Sequence, residues 1–101
     1  MNTQTNSISQ EQIEAWKAKH KEIFKLIVED KEAYLKKPDR KILAAATAAS
    51  STNPMKFNEV ILTNCWLGGD EEIKTDDSYF LGASAKLNEL IEIKQAELEK
   101  L

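Results

Sequence analysis

Residues 22–36 read Glu-Ile-Phe-Lys-Leu-Ile-Val-Glu-Asp-Lys-Glu-Ala-Tyr-Leu-Lys, and this stretch decides what kind of fold the chain can have. Phe24, Leu26 and Val28 alternate with Ile23, Lys25 and Ile27. A period of two sends the two sets to opposite faces of a strand, and apolar residues in both sets suit a strand that is largely buried. Glu29-Asp30-Lys31-Glu32 is polar enough to turn the chain, and Ala33-Tyr34-Leu35-Lys36 offers a return strand. The reading is a β-hairpin. Its turn lacks the Asn-Gly or Asp-Gly pair that fixes hairpin geometry, so type and register stay open, and a helix over residues 22–28 is the competing assignment.

Upstream, Ser9 is followed three residues later by Gln12, the capping-box spacing, and Ile8 and Ile13 occupy the hydrophobic-staple positions around it. A first helix is therefore predicted from Gln10 to about His20, with Ile13, Trp16 and His20 along one face. Residues 1–8 read as a flexible polar tail without the basic start and apolar run of a secretory signal.

Downstream, Pro38 stops the return strand and Asp39 can cap a helix whose interior runs Ile42-Leu43-Ala44-Ala45-Ala46-Thr47-Ala48-Ala49. The alanines give high helix propensity and a thin profile that lets another backbone come close. Residues 50–52 interrupt it, and Asn53-Pro54 restarts a helix as cap and first-turn proline. Phe57, Val60, Ile61 and Asn64 share a face there, with Leu62 and Cys65 beside it, and Gly68-Gly69 reads as the stop. Residues 70–74 form an acidic connector. Thr75 then caps a last helix whose first turn, Asp76-Asp77-Ser78, suits the helix dipole. Phe80, Ser84, Leu87, Ile91, Lys94, Leu98 and Leu101 recur at spacings of four and three, a heptad-like stripe. The prediction is one long helix to Leu101, roughly 40 Å at about 1.5 Å per residue, whose charged end projects or meets a partner. The fold class is α+β: one domain over residues 9–101, with an N-terminal helix, a β-hairpin and three further helices.

Composition narrows the function classes. With 42% hydrophobic and 31% charged residues in 101, the chain has enough apolar material for one modest core. Fourteen Lys and Arg stand against 17 acidic residues, a net charge of −3, too balanced for the electrostatic footprint that nucleic acid requires. Charged residues interrupt every apolar run, so no membrane span is expected. The single cysteine, Cys65, cannot form a disulfide within the chain or a multi-cysteine zinc site, which fits a reducing cytosol.

Cys65 and His20 are the one thiol–imidazole combination available, but free cysteine commonly packs as a small hydrophobe, and spacing gives no sign of convergence. Asp70, Glu71, Glu72, Asp76 and Asp77 gather five carboxylates, yet the spacing of a calcium loop is absent. Gly68-Gly69 is followed by acidic residues and not by the Lys-Ser or Lys-Thr of a phosphate loop. No catalytic, cofactor-binding or metal-binding residues are assigned, and no cofactor is expected. Trp66 and Leu67 stand at a helix end, where they close the core or anchor a partner. Leu98 and Leu101 lie among Glu97, Glu99 and Lys100, an amphipathic end suited to a groove or a second helix.

Several blocks in order carry a family likeness: Lys36-Lys37-Pro38-Asp39-Arg40, the alanine helix, Asn53-Pro54-Met55-Lys56-Phe57-Asn58-Glu59, and Asn64-Cys65-Trp66-Leu67-Gly68-Gly69-Asp70-Glu71-Glu72. Over about Tyr34 to Leu101 the chain resembles tail assembly chaperones of long-tailed bacteriophages. The resemblance implies a non-enzymatic protein of the host cytoplasm that binds the tape-measure protein, keeps it soluble while tube subunits polymerise around it, and leaves before the particle is finished. Trp66, Leu67, Tyr79, Leu98 and Leu101 are the expected client or self-association contacts. The rival expectation is a small head or tail protein retained in the virion, making permanent contacts through the same residues.

Overall fold

The competition over residues 22–28 is settled in favour of a strand: β1 (Ile23–Val28) and β2 (Lys31–Lys36) form an antiparallel hairpin, with Ile23 opposite Lys36 and Val28 opposite Lys31. Only Glu29 and Asp30 make the turn, and Glu29 takes φ 54°, the left-handed conformation such a short reversal requires. These observations come from a computed structural model that describes residues 8–101. Of the flexible tail expected over residues 1–8, residues 1–7 lie outside the described residues, and Ile8 is half-buried.

α1 (Gln10–His20) starts as predicted, with the Gln12 amide donating to Ser9 Oγ at 3.1 Å. It ends abruptly. Lys21 has φ 69° and ψ −60°, and the Glu22 amide donates to the His20 carbonyl at 2.7 Å, a strained γ-turn that redirects the chain into β1 within two residues.

α2 (Arg40–Ala49) is capped by Asp39, whose Oδ1 accepts from the Ile42 amide at 2.8 Å. It packs against α3 (Met55–Cys65), and Ala46, fully buried, marks the seam where a small side chain permits close approach. On α3 the buried residues are Ile61, Leu62 and Cys65, while Phe57 and Val60 are half-buried. Asn64, expected on the apolar face, is exposed and donates its side-chain amide to the Val60 carbonyl at 2.8 Å.

Four expectations after Cys65 need correction. Trp66–Gly69 does not end a helix; it is β3, which pairs antiparallel with β2 to give the sheet order β1-β2-β3. Helix α3 stops because Trp66 turns extended (φ −67°, ψ 127°), and the glycines let the strand lie close to its neighbours. The connector contains a short helix, α4 (Glu72–Thr75), which sinks Ile73 fully into the core. The cap of α5 (Asp77–Leu87) is Asp76 and not Thr75, which closes α4; Asp76 Oδ1 accepts from the Ser78 and Tyr79 amides at 2.9 and 3.1 Å.

At 11 residues α5 equals α1 and α3 as the longest described helices, but it does not run to Leu101. A 3₁₀ turn (Asn88–Leu90) follows, Ile91 is extended, and residues 91–101 have no regular secondary structure. The heptad stripe breaks where the body ends. Leu87 and Leu90 are buried, whereas Leu98 and Leu101 have nothing to pack on, and a helix of this length gains its stability chiefly from packing. The radius of gyration, 15.6 Å, exceeds the roughly 13 Å of a compact chain this long.

Leu35, Ile61, Leu62, Cys65, Ile73 and Leu87 form the centre of the core. Strand alternation places Phe24, Leu26, Val28, Ala33 and Leu35 on the sheet face that meets α3, α4 and α5. Trp16 from α1 covers part of the opposite face, its ring 5.7 Å from that of Tyr34.

Candidate functional site

Trp66 and Leu67 sit on the outer strand β3, both half-buried. Leu35 pairs with Trp66 and Tyr34 with Gly68, so Leu67 is the extra residue of a bulge that locally twists this edge. The Lys74 ammonium lies 4.3 Å from the Trp66 ring centroid, in cation–π range, so the indole already has a partner within the molecule. Gly68 lacks a side chain where Trp16 stands: a Cβ there would meet Trp16 Cη2 at 3.0 Å.

Tyr79 is also engaged internally. Its hydroxyl donates to Asp30 Oδ1 at 2.7 Å, joining the start of α5 to the hairpin turn. That bond holds the Asp30 carboxyl below its ordinary range and raises the Tyr79 phenol. Leu98 and Leu101 are fully exposed, and Ile93, which the sequence reading passed over, is 80% exposed on the same segment. The five expected contact residues therefore divide into Trp66 and Leu67 on β3, Tyr79 on α5, and Leu98 and Leu101 on the C-terminal segment.

The root of that segment is tied down. Glu92 pairs with Lys37, which also lies 3.6 Å from Glu22, and with Lys94 at 2.9 Å. Hydrogen bonds from Lys37 and Lys94 pull the Glu92 carboxyl down to about 2, and the Glu92 bond raises the Lys37 ammonium.

A second surface runs along β1. Phe24, Leu26 and Leu35 from the sheet, with Leu87 and Leu90 from the end of α5 and the turn after it, line a groove of about 340 Å³, with Lys86 and Glu89 also bordering it. β1 is an outermost strand, and Ile27 on its other face is 63% exposed. The sequence showed the apolar alternation but not that, among the described residues, no strand lies beyond it.

The residues weighed for chemistry have structural occupations. Burial pushes the Cys65 thiol up to about 11, the reverse of what a nucleophile needs. Partial burial, with Lys36 and Lys19 nearby, lowers the His20 imidazole. Asp70 Oδ2 accepts from the Glu32 amide at 2.9 Å, Glu71 pairs with Lys74 at 3.0 Å, Glu72 pairs with Lys31 at 2.9 Å, and Asp76 caps α5. Among the described residues no three His, Cys, Asp or Glu side chains converge to hold a metal, and no helix is long and apolar enough to cross a membrane. No protein-family model, no curated protein and no solved structure matches the chain.

Proposed function

We propose that this chain is a non-enzymatic polypeptide-binding protein, a phage tail assembly chaperone that holds the tape-measure protein in solution in the host cytoplasm while the tail tube forms. The observation that carries this reading is the C-terminal segment, where Ile93, Leu98 and Leu101 are exposed to 80%, 102% and 109%. Large side chains presented together on one short segment are the usual sign of a contact surface.

Residues 95–101, Gln-Ala-Glu-Leu-Glu-Lys-Leu, are all strong helix formers, yet they form no helix in isolation. A helix would place Leu98 and Leu101 on one face three residues apart, and a long helical client offers the apolar surface that this face lacks. The segment thus orders by binding, and the Glu92–Lys37 pair fixes where it leaves the body.

The test is co-expression with the tape-measure protein. The unaltered chain is expected to keep that client in the soluble fraction. The Leu98→Asp/Leu101→Asp double variant, altered only at fully exposed positions, is expected to fold normally and lose it to the pellet. Equal solubility of the client with the folded variant overturns the assignment of the site, and failure of the unaltered chain to solubilise the client overturns the function.

A further inference from the structure

We infer that β1 is a self-association edge: two copies of this chain pair antiparallel through their β1 strands, joining two three-stranded sheets into one of six strands. The inference concerns a different surface from the C-terminal segment and does not depend on the client.

The hairpin fixes which backbone groups are free. A two-residue turn makes Val28 and Lys31 the closing hydrogen-bonded pair, so bonding to β2 alternates to Leu26 and Phe24, and the amides and carbonyls of Ile23, Lys25 and Ile27 point outward. β3, the other outer strand, has four residues and a bulge at Leu67, features that blunt an edge. β1 has six residues paired with β2 without a register shift.

The side chains select a second copy as the occupant, and they select its register. Two-fold antiparallel pairing puts the same face of each sheet on the same side. Centring the axis on Lys25 sets Lys25 against Lys25 of the second copy, the like-charge arrangement by which an edge lysine normally discourages pairing. Centring it on Phe24 leaves Ile27 unpaired. Centring it on Leu26 avoids both faults: Leu26 meets Leu26, Phe24 meets Val28, and Lys25 lies beside Ile27, covering the most exposed side chain of the strand.

In that register the two β1 grooves merge beneath Leu87 and Leu90 of both copies. The border of each groove carries Lys25, Lys86 and Glu89, and Lys86 pairs with Glu89 of its own copy at 3.3 Å. Because an isologous interface presents the same patch on both sides, that internal pair leaves these two groups without net charge to repel across the axis. One strand pair and a shared groove fall short of the ~1,000 Å² of a strong interface, so the dimer is expected to be weak and reversible.

Sedimentation velocity from about 10 μM to about 1 mM, the range in which small interfaces associate, is expected to show a monomer–dimer equilibrium. Ile27→Lys, an exposed position, is expected to leave the circular dichroism spectrum unchanged and weaken the dimer at least about tenfold, because each dimer then holds two lysine pairs in place of two favourable contacts. Adding Lys25→Glu to Ile27→Lys is expected to restore association by setting opposite charges side by side. A chain that stays monomeric at about 1 mM, an Ile27→Lys variant that dimerises like the unaltered chain, or a double variant with no recovery overturns the proposal.

Discussion

Gly69→Ala tests whether β3 is held as described. Gly69 has φ +133°, a conformation that residues with a Cβ rarely adopt. A Cβ built on it lands on the Glu32 carbonyl oxygen, 2.5 Å from Ala33 Cα and 3.2 Å from Ala33 Cβ. Two of these three atoms are backbone of the central strand, so relief requires β3 to move off β2. Strain at such a φ costs about 1–3 kcal/mol, and overpacking a tight site adds about 1–3 kcal/mol, giving an expected loss of about 2–6 kcal/mol. For a domain of this size, at about 4–8 °C per kcal/mol, that corresponds to a melting temperature lower by about 8–48 °C.

Gly68→Ala is the internal control. Its Cβ would press on the Trp16 ring at 3.0 Å and Ile8 Cδ1 at 3.5 Å, side-chain atoms on a helix face and its approach that can shift. The expected loss is about 1 kcal/mol. Urea titration of both variants, followed by circular dichroism, reads the difference. A Gly69→Ala variant within about 1 kcal/mol of the unaltered protein, or no more destabilised than Gly68→Ala, would refute the placement of β3 against β2.

Two further outcomes follow from the titrating groups. Cys65 is fully buried with its thiol raised to about 11, so a thiol reagent at neutral pH is expected to label it only as fast as the protein opens, with full reaction in denaturant; rapid complete labelling of the folded protein would contradict the burial. Glu92 is depressed from 4.5 to about 2, so the ionic clip at the root of the C-terminal segment is complete above about 4.5 and is lost as pH falls through about 2; a carboxyl titration by NMR should show that low midpoint, and Lys37→Met should raise it, whereas an unmoved midpoint would remove Lys37 as the cause.

The legible parts of the fold were those encoded by short-range chemistry. Alternation at Ile23–Val28 identified a strand, and Ser9 and Asp39 marked helix starts because a cap needs only a side-chain oxygen and an amide two or three residues on. β3 was hidden because four residues cannot establish a period and a glycine pair reads equally as a helix stop; only pairing with β2, more than 30 residues away, makes Trp66–Gly69 a strand. The C-terminal helix was overextended for the converse reason: residues 91–101 have helical spacing and propensity but no surface to pack against. Of the expected contact residues, Leu98 and Leu101 were evident from their charged surroundings, while the internal partners of Trp66 and Tyr79, Lys74 and Asp30, could not be seen without the fold. The β1 groove was missed because the sequence shows which residues are apolar and not which strand is last in the sheet.

Ala33 and Gly69 face each other across the sheet although 36 positions separate them, and α2 and α3 occupy most of the interval. The hairpin closes on itself within microseconds and the helical pair needs only its own neighbours, but the last strand has no template until β2 exists and no reach until α2 and α3 have folded back. Its docking is therefore expected to be the step that joins these locally formed pieces into a single cooperative unit.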